Sequence, residues 1–377
     1  MINFFEFGRE YASIKPGLDK AVGSALASGN YILGEKVAEF EKKFARHIGV
    51  KYAVGVNSGT DAVFLALKSI GVGTGDEVIT VSHTAVATAA AIAMAGARPV
   101  FVDVSPETML MDPSLIGEKI TEKTKAILPV HLYGNAAEMG AIKEIADRHG
   151  IHVIEDCAQA AGASYSGKKV GAFGAAGAFS FYPTKNLGAY GDAGLVATND
   201  SGIFERMKGL RQYGWGRTRI SESFGVNSRL DEFQAAILLA KLGHLGSWNS
   251  ARRKLAKKYS SLIGGIEGIK VPGDAPNAIH AYHLYVIRSG RRDALAEHLG
   301  ARGIKTLVHY PVPVHRQPYY SQFASGASLP ITEKISAEVL SLPLHPFLKD
   351  SELKKVCSEI SSFYKAQASQ PNGSLRL

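Results

Sequence analysis

The sequence contains little cysteine: only Cys157 and Cys357 among 377 residues. Two cysteines are too few for a disulfide framework or for a cysteine-based metal site, so we expect a cytoplasmic protein without a metal. No hydrophobic run reaches the roughly 20 residues that a membrane span requires. The longest run, residues 85–97, is rich in alanine and predicts a buried helix. Because the first ten residues also lack the basic segment of a signal peptide, we expect no association with a membrane.

Long runs of like charge are absent as well. Lysine and arginine total 43 against 34 aspartates and glutamates, a formal net charge of +9, but the basic residues are scattered along the chain. Scattered charge is typical of a solvated surface and argues against nucleic acid as a partner. The same excess would create a field that favours a phosphorylated substrate.

What the sequence does contain is a regular alternation of apolar strands and helices. The apolar pattern predicts strands at residues 52–56, 77–81, 99–104, 126–131, 151–154, 178–182 and 194–198, and helices at residues 17–29, 36–48, 60–70, 85–97, 137–149 and 229–266. Apolar strands separated by helices predict an α/β protein whose mostly parallel sheet is covered on both faces. A strand at residues 282–287 and a helix at 294–299 indicate a smaller α+β domain in the C-terminal part.

A short polar segment with the sequence NSGTD, residues 57–61, follows one predicted strand and begins the next helix. Free backbone N–H groups at a helix N-terminus form an anion site suited to a phosphate. The alternative is structural, because Ser58 or Thr60 also suits a helix cap. The glycine cluster at residues 71–75 precedes a strand, so it is not a dinucleotide-binding fingerprint.

Asp156 follows the strongly apolar strand at residues 151–154. In an open α/β sheet, ligands bind beyond the carboxyl ends of the strands, which makes Asp156 a candidate site residue. A buried carboxylate needs a cationic or hydrogen-bonding partner to remain charged. The alternative for Asp156 is that it caps a short helix. The adjacent Cys157 is expected to be a small core residue and not a nucleophile.

Lys185 lies between a proline turn at Pro183 and the glycines Gly188, Gly191 and Gly194. A lysine on rigid backbone that a ligand approaches closely can form a Schiff base if its surroundings lower its pKa. In another context a single lysine would be an ordinary surface residue. Here it comes after a phosphate-type turn and a strand-end aspartate, in that order.

With these features in this order, the sequence resembles the DegT–DnrJ–StrS family of pyridoxal-phosphate sugar aminotransferases over nearly its whole length. The matching stretches are residues 28–34 (SGNYILG), 40–41 (FE), 58–60 (SGT), 99–103 (PVFVD), 155–159 (EDCAQ), 180–185 (SFYPTK), 225–232 (GVNSRLDE) and 309–311 (HYP). The resemblance implies an aspartate aminotransferase-like fold (fold type I). Its large cofactor-binding domain, residues 1–250, would contain a mostly parallel seven-stranded sheet flanked by helices. Residues 251–377 would form the smaller α+β domain.

The resemblance also implies roles for individual residues. Lys185 would hold pyridoxal 5′-phosphate in a Schiff base, and Asp156 would pair with the pyridine nitrogen and keep the ring protonated. Gln159 would reach the ring hydroxyl. The residues implied for the cofactor and its phosphate are Ser58, Gly59, Thr60, Ser180 and, from a neighbouring subunit, Asn227, and those implied for the substrate are Tyr31, Arg229, His309 and Tyr310. The active sites would therefore be shared across a homodimer.

One stretch departs from the family pattern. Family members usually carry an aromatic residue that stacks on the cofactor ring within the stretch that here reads TAVAT, residues 84–88. His83 precedes this stretch, and either His83 supplies the stacking plane or the ring is covered differently.

The implied activity is the transfer of an amino group from L-glutamate to the keto carbon of a nucleotide-linked sugar. Such reactions belong to amino-sugar biosynthesis, for example that of lipopolysaccharide O-antigen. The stretches around Tyr31 and His309 are more similar to members acting on 3-keto sugars, which suggests a 3-keto-6-deoxyhexose linked to a nucleoside diphosphate. The alternatives are a 4-keto sugar nucleotide, a sugar dehydratase of the same fold, whose members replace the lysine that is present here as Lys185, and a non-catalytic regulator.

Overall fold

The structure, a computed structural model, describes residues 1–216, 218–324 and 328–368, with side chains as far as residue 366. Within these residues the strands are β1 (Tyr52–Val56), β2 (Glu77–Val81), β3 (Arg98–Val102), β4 (Thr124–Ile127), β5 (His152–Asp156), β6 (Ser164–Tyr165), β7 (Lys168–Lys169), β8 (Ala176–Ser180), β9 (Gly194–Thr198), β10 (Ala278–Ile279), β11 (Tyr285–Arg288) and β12 (Val339–Leu342). The α-helices are α1 (Phe7–Ala27), α2 (Glu35–Ile48), α3 (Gly59–Ser69), α4 (Val86–Met94), α5 (Met139–His149), α6 (Ser201–Leu210), α7 (Glu232–Leu242), α8 (Leu245–Ile263), α9 (Arg292–Ala301), α10 (Pro330–Glu338) and α11 (Asp350–Ala368).

The central sheet has seven strands in the order β1-β9-β8-β5-β4-β2-β3. The neighbours from β8 to β3 are parallel, and β9 runs antiparallel to both β1 and β8. All five residues of β2 and all five of β9 are buried, as expected for strands that are covered on both faces. This confirms the predicted α/β fold with a mostly parallel seven-stranded sheet.

Helices cover the sheet because successive side chains of each strand point to opposite faces. Val54 and Val56 of β1 pack with α3, α4 and α6 on one face, whereas Ala53 packs with α2 and α7 on the other. Helix α5 extends this second layer over β2, β4 and β5. The loops that follow the strands are thus left free to form a site at the edge of the sheet.

The C-terminal part contains the antiparallel pair β11–β12, which packs against α8, α9 and α11. Ile2 joins the same apolar cluster and pairs through its backbone with Ile304. The first residues of the chain therefore pack against the C-terminal part. The division into domains at residue 250 falls inside α8 and stays a proposal.

Several regions differ from the sequence-based expectation: α6, α10, α11 and β12 were not predicted, and β4 and β8 each begin two residues earlier than predicted. Helix α1 begins at Phe7, ten residues before the predicted start at residue 17, and continues through Pro16. Ile14 and Leu18 flank this proline and pack against Ile237 and Trp248, which holds the helix together across the position where Pro16 removes a hydrogen bond. The glycine-rich residues 162–177 contain β6 and β7, which form with β10 a small sheet that was not predicted. In the described part of the chain, no helix is long and apolar enough to cross a membrane.

Candidate active site

A cavity of about 230 Å³ lies beyond the carboxyl ends of β1, β5 and β8. Seven of the sequence-predicted residues line it: Ser58, Gly59, Thr60, Asp156, Gln159, Ser180 and Lys185. The other lining residues are Val63, Thr84, Ala85, Ala87, Thr88, Val130, Ala158, Tyr182 and Asp192. Residues far apart in the sequence therefore meet at the edge of the sheet where α/β proteins bind ligands.

The N-terminus of α3 forms one wall of the cavity. Ser58 caps this helix, since its Oγ accepts a hydrogen bond from the backbone N–H of Asp61 at 3.1 Å. Gly59 and Thr60 begin the helix and line the cavity. A Cβ at Gly59 would lie only 2.5 Å from the Cβ of Ser180, so glycine is needed for the loop after β8 to approach the helix. The structural cap and an anion site at the helix N-terminus are thus compatible at this position.

Asp156 is buried at the end of β5, with its carboxylate in the cavity wall. Its Oδ1 accepts from the backbone N–H of Ala158 at 3.1 Å, and its Oδ2 accepts from the hydroxyl of Thr88 at 2.8 Å. Burial raises the pKa of Asp156, while these two hydrogen bonds and the charge of Lys185 act in the opposite direction. The carboxylate is therefore held in place for a partner on the cavity side.

Thr84 and Thr88 line the cavity and are candidate site residues that the sequence reasoning missed. The two buried hydroxyls lie 2.9 Å apart, and Thr88 donates to Asp156. Thr88 lies in the first turn of α4, whereas Thr84 precedes the helix, so their contact depends on the chain's path into α4 and has no periodic signal in the sequence. The stretch attracted attention only for its lack of an aromatic residue.

Lys185 is half-buried in a tight turn after β8, where its backbone N–H donates to the carbonyl of Tyr182 at 2.8 Å. Burial lowers the pKa of Lys185 to about 8, although the charge of Asp156 acts to raise it. The neighbouring Asn186 anchors the turn by donating to Asn249 Oδ1 at 2.8 Å and to the carbonyl of Ala281 at 2.9 Å. A rigidly held amine with a lowered pKa suits a nucleophile.

Gln159 has both ends of its side-chain amide engaged. Its Oε1 accepts from the backbone N–H of Tyr133 at 2.7 Å, and its Nε2 donates to the hydroxyl of Tyr310 at 3.0 Å. Tyr310 therefore contacts a lining residue of the cavity without being one of the lining residues itself. His309, the preceding residue, is half-buried, and burial lowers its pKa to about 4.

His83 is not among the lining residues of the cavity in the described chain. Its buried ring lies between the hydroxyl of Tyr133, 2.8 Å from Nε2, and the hydroxyl of Ser336, 3.4 Å from Nδ1. Burial lowers the pKa of His83 to about 3, so the ring is neutral. This position gives no support to the expectation that His83 stacks on a cofactor ring.

Three potential metal ligands, His131, Glu155 and Cys157, cluster next to the site. Both oxygens of Glu155 are already occupied, because they accept from the backbone N–H groups of Gly171, Phe173 and Gly174 and from His131 Nε2. Burial raises the pKa of the Cys157 thiol, which keeps it protonated. The cluster is therefore explained by its contacts with the backbone, and Glu155 holds the glycine-rich segment against β5.

The remaining predicted residues lie outside the cavity wall of their own chain. Asn227 is exposed, Arg229 is half-buried, and Tyr31 is 54% exposed. Two other members of the GVNSRLDE stretch support the fold: Ser228 donates to Asp61 Oδ2 at 2.6 Å, and Glu232 accepts from the first backbone N–H groups of α2. The stretch thus connects the N-termini of α2 and α3.

The cavity fits pyridoxal phosphate in the kinds of groups that it presents. The N-terminus of α3, with the closely packed Gly59 and Ser180, suits a phosphate, and the buried Asp156 suits a protonated pyridine nitrogen. Gln159 offers an amide N–H for a ring hydroxyl. Lys185 offers an amine whose lowered pKa suits reaction with an aldehyde.

Comparisons with known proteins agree with this geometry. The model of the DegT/DnrJ/EryC1/StrS aminotransferase family matches residues 13–361. The chain is similar to dTDP-3-amino-3,4,6-trideoxy-alpha-D-glucose transaminase from Streptomyces venezuelae, with 46% identity over 95% of each chain. It is also similar to UDP-2-acetamido-2-deoxy-3-oxo-D-glucuronate aminotransferase from Pseudomonas aeruginosa, with 41% identity over 96% of this chain and 100% of the relative.

Among solved structures, S. venezuelae DesV in complex with a ketimine intermediate superposes with a TM-score of 0.95. The two chains are 45% identical, and the match covers 98% of this chain and 99% of DesV. The similarity therefore extends over nearly the whole chain. The chain belongs to the DegT/DnrJ/EryC1/StrS family of pyridoxal-phosphate-dependent aminotransferases.

Proposed function

We propose that this protein transfers an amino group from L-glutamate to the C-3 keto carbon of a 6-deoxyhexose linked to a nucleoside diphosphate. The observation that carries this proposal is the meeting of Lys185, Asp156 and the N-terminus of α3 in one cavity. When bound there, pyridoxal phosphate supplies an electron sink that makes the hydrogen next to an amino group acidic. The chain's own residues then bind, orient and move the proton.

Lys185 is the proposed base. Its Nζ has a pKa lowered to about 8, so a substantial fraction is neutral near physiological pH and able to accept a proton. The turn that holds Lys185 limits where Nζ can reach. It would move the proton from the α-carbon of the amino donor and, in the second half-reaction, return a proton to the sugar carbon.

Asp156 is the proposed partner of the cofactor nitrogen. A buried carboxylate would lose its charge without hydrogen-bond donors, and Thr88 and the N–H of Ala158 supply them. The carboxylate can therefore stabilise a positive charge on the cavity side. Gln159, with its amide N–H, would orient the other edge of the ring.

The names of two relatives favour C-3 over C-4 amination. One is named for a 3-amino product and the other for a 3-oxo substrate. Both names also specify a nucleotide-linked sugar, and the net charge of +9 suits a substrate that carries a diphosphate. The 4-keto alternative remains the comparison arm of the experiment below. The cytoplasmic location expected from two unpaired cysteines belongs to the same proposal.

The proposal also includes a homodimer with shared sites. Asn227 lies on an exposed loop outside its own cavity, and the same loop carries Phe224, which is 56% exposed. Exposed apolar side chains beside an incomplete site suit a contact with a second copy of the chain. Asn227 would then reach the phosphate position of the neighbouring subunit.

The test begins with K185A, for which Lys169→Ala is the matched control. Lys169 is also half-buried with a pKa lowered by burial, but it lies in β7 away from the cavity. K185A should lose at least ~1,000-fold in turnover and the visible band that borohydride bleaches, with the fold intact. The control should keep both. Turnover of K185A within tenfold of the wild type would refute the proposed function.

The substrate is tested with a panel of 3-keto and 4-keto sugar nucleotides, with L-glutamate as the amino donor and aspartate and alanine as alternative donors. We expect the highest kcat/KM with a 3-keto-6-deoxyhexose and with glutamate. A tenfold preference for a 4-keto sugar would overturn the assignment of the position while leaving the reaction class intact. Cofactor binding without turnover of any keto sugar would favour the regulatory alternative.

The dimer is tested by mixing two inactive variants, K185A and N227A. If the sites are shared, random exchange makes about half of the dimers hybrid, each with one intact site, so roughly a quarter of wild-type activity returns. N227A must first be shown to be severely impaired. If mass spectrometry confirms subunit exchange and no activity returns, Asn227 acts within its own chain or not at all.

A further inference from the structure

Four residues form a closed ring of contacts beside the cavity. The backbone N–H of Tyr133 donates to Gln159 Oε1 at 2.7 Å, and Gln159 Nε2 donates to the Tyr310 hydroxyl at 3.0 Å. Tyr310 is bonded in the chain to His309, whose carbonyl accepts a hydrogen bond from the hydroxyl of Tyr133. The ring thus starts and ends at Tyr133.

The ring determines which way the Gln159 amide faces. The backbone N–H of Tyr133 can only donate, so the atom opposite it must be the amide oxygen. The amide nitrogen then faces Tyr310 and has two hydrogens, of which one goes to the Tyr310 hydroxyl. The second N–H remains for the cavity that Gln159 lines.

His83 supports this ring of four contacting residues from outside. The Tyr133 hydroxyl has one hydrogen, which it gives to the His309 carbonyl, so His83 Nε2 must be the donor in its 2.8 Å contact with Tyr133. Nδ1 of the neutral ring is then an acceptor, and the Ser336 hydroxyl donates to it. His83 consequently fixes Tyr133 in place.

We propose that Tyr310 is a positioning residue for Gln159, through which the C-terminal segment at residues 309–310 determines how the amide N–H is presented to the cofactor. The inference rests on the proposed role of Gln159 at the ring hydroxyl. It assigns Tyr310 a task at the cofactor in addition to the substrate contact implied by the resemblance. Without the Tyr310 hydroxyl, the nitrogen end of the amide loses its partner, and only the hydrogen bond from the N–H of Tyr133 still holds the amide.

The experiment is a double-mutant cycle with Y310F, Q159L and the combined variant. The measured quantities are the Kd of pyridoxal phosphate for each apoprotein and the pH at which the visible band of each loaded protein changes. Tyr364→Phe is the control, because its hydroxyl bonds Ser289 at 2.6 Å, outside the cavity lining. We expect Y310F to raise the Kd about three- to tenfold and Q159L to raise it at least as much. Each should also move the spectral transition to higher pH, because an N–H donor favours the deprotonated ring oxygen.

The combined variant distinguishes positioning from an independent role. If Tyr310 acts through Gln159, adding Y310F to Q159L should change neither the Kd nor the spectral transition. Additive effects, or a Y310F protein that matches the wild type in both measurements, would overturn the proposal. A wild-type protein that forms no visible band would instead refute the proposed function itself.

A second test leaves Tyr310 unchanged and replaces only the amide of Gln159. In Q159E one carboxylate oxygen still accepts from the N–H of Tyr133 and the other accepts the Tyr310 O–H, so the ring stays closed. The N–H that faces the cavity is lost. We expect an unchanged melting temperature and a Kd raised as in Q159L, and an unchanged Kd would contradict the proposal.

Discussion

Replacing Glu155 by glutamine exchanges one carboxylate oxygen for an NH2 group. The side chain is completely buried and lies next to the proposed cofactor partner, Asp156. Glu155 Oε1 accepts from the N–H groups of Phe173 at 2.7 Å and Gly174 at 2.8 Å. Its Oε2 accepts from the Gly171 N–H at 2.7 Å and from His131 Nε2 at 3.1 Å. Whichever oxygen becomes an amide nitrogen, that nitrogen will face two donors.

The expected loss of stability in E155Q follows from these contacts. Two hydrogen bonds to a charged group are lost at about 1.5–3 kcal/mol each, which predicts a loss of about 3–6 kcal/mol in the free energy of unfolding. A change of tautomer at His131 does not rescue the variant, because Nδ1 already accepts from the N–H of Ala137 at 3.0 Å. Such a loss is a large part of the ~5–15 kcal/mol that usually stabilises a domain.

Urea denaturation of the apoprotein measures this loss. Glu144→Gln, at an exposed position on α5, is the control and should change the free energy of unfolding by less than ~0.5 kcal/mol. E155Q should lower the midpoint and the free energy of unfolding by the amount given above. A loss below ~1 kcal/mol would refute the conclusion that Glu155 holds the glycine-rich segment in place.

Three further predictions concern the cavity. Asp156→Asn should keep its stability and lose at least ~100-fold in kcat, because an amide cannot stabilise a pyridinium charge; a rate within fivefold of the wild type would contradict this. Gly59→Ala places a Cβ 2.5 Å from that of Ser180, so it should weaken pyridoxal phosphate binding at least ~10-fold and lower the free energy of unfolding by ~1–3 kcal/mol. The control Gly23→Ala, with open space around it, should lower neither. The rate at which the apoprotein attaches pyridoxal phosphate should rise with pH to a midpoint of about 8, because burial lowers the Lys185 pKa and only the neutral amine reacts; a midpoint near the ordinary lysine value of ~10.4 would refute this.

The regular part of the fold could be predicted because its signals are local. Strands buried on both faces give short apolar runs, and β1, β2 and β9 were predicted with the observed bounds. Helix α1 was predicted too short because the proline rule is local, whereas the packing of Ile14 and Leu18 that overrides it comes from α7 and α8. The small sheet β10-β6-β7 was missed because strands of two residues leave no periodic pattern.

The residues of the candidate site also divide into those with a local signal in the sequence and those without one. Ser58, Asp156 and Lys185 follow strands, so their order in the sequence was sufficient to predict a common edge of the sheet. The partners Thr88 and Tyr310 were harder to assign, because each acts through a contact that depends on tertiary structure. His83 illustrates the same limit: the sequence could not show that its ring nitrogens contact the hydroxyls of Tyr133 and Ser336, and its stacking on the cofactor ring stays a prediction.

The antiparallel strand β9 has a consequence for how the protein is made. In the described chain β1 pairs with β9 alone, yet the ribosome must add residues 57–193 between them. Until β9 emerges, β1 is an unpaired edge, and Gly194 is not yet packed against the carbonyl of Ser58, where a Cβ would lie 2.1 Å away. The cofactor cavity thus cannot be completed until about half of the 377 residues have been made, and a nascent chain that stalls before residue 194 exposes a strand edge that is prone to aggregation.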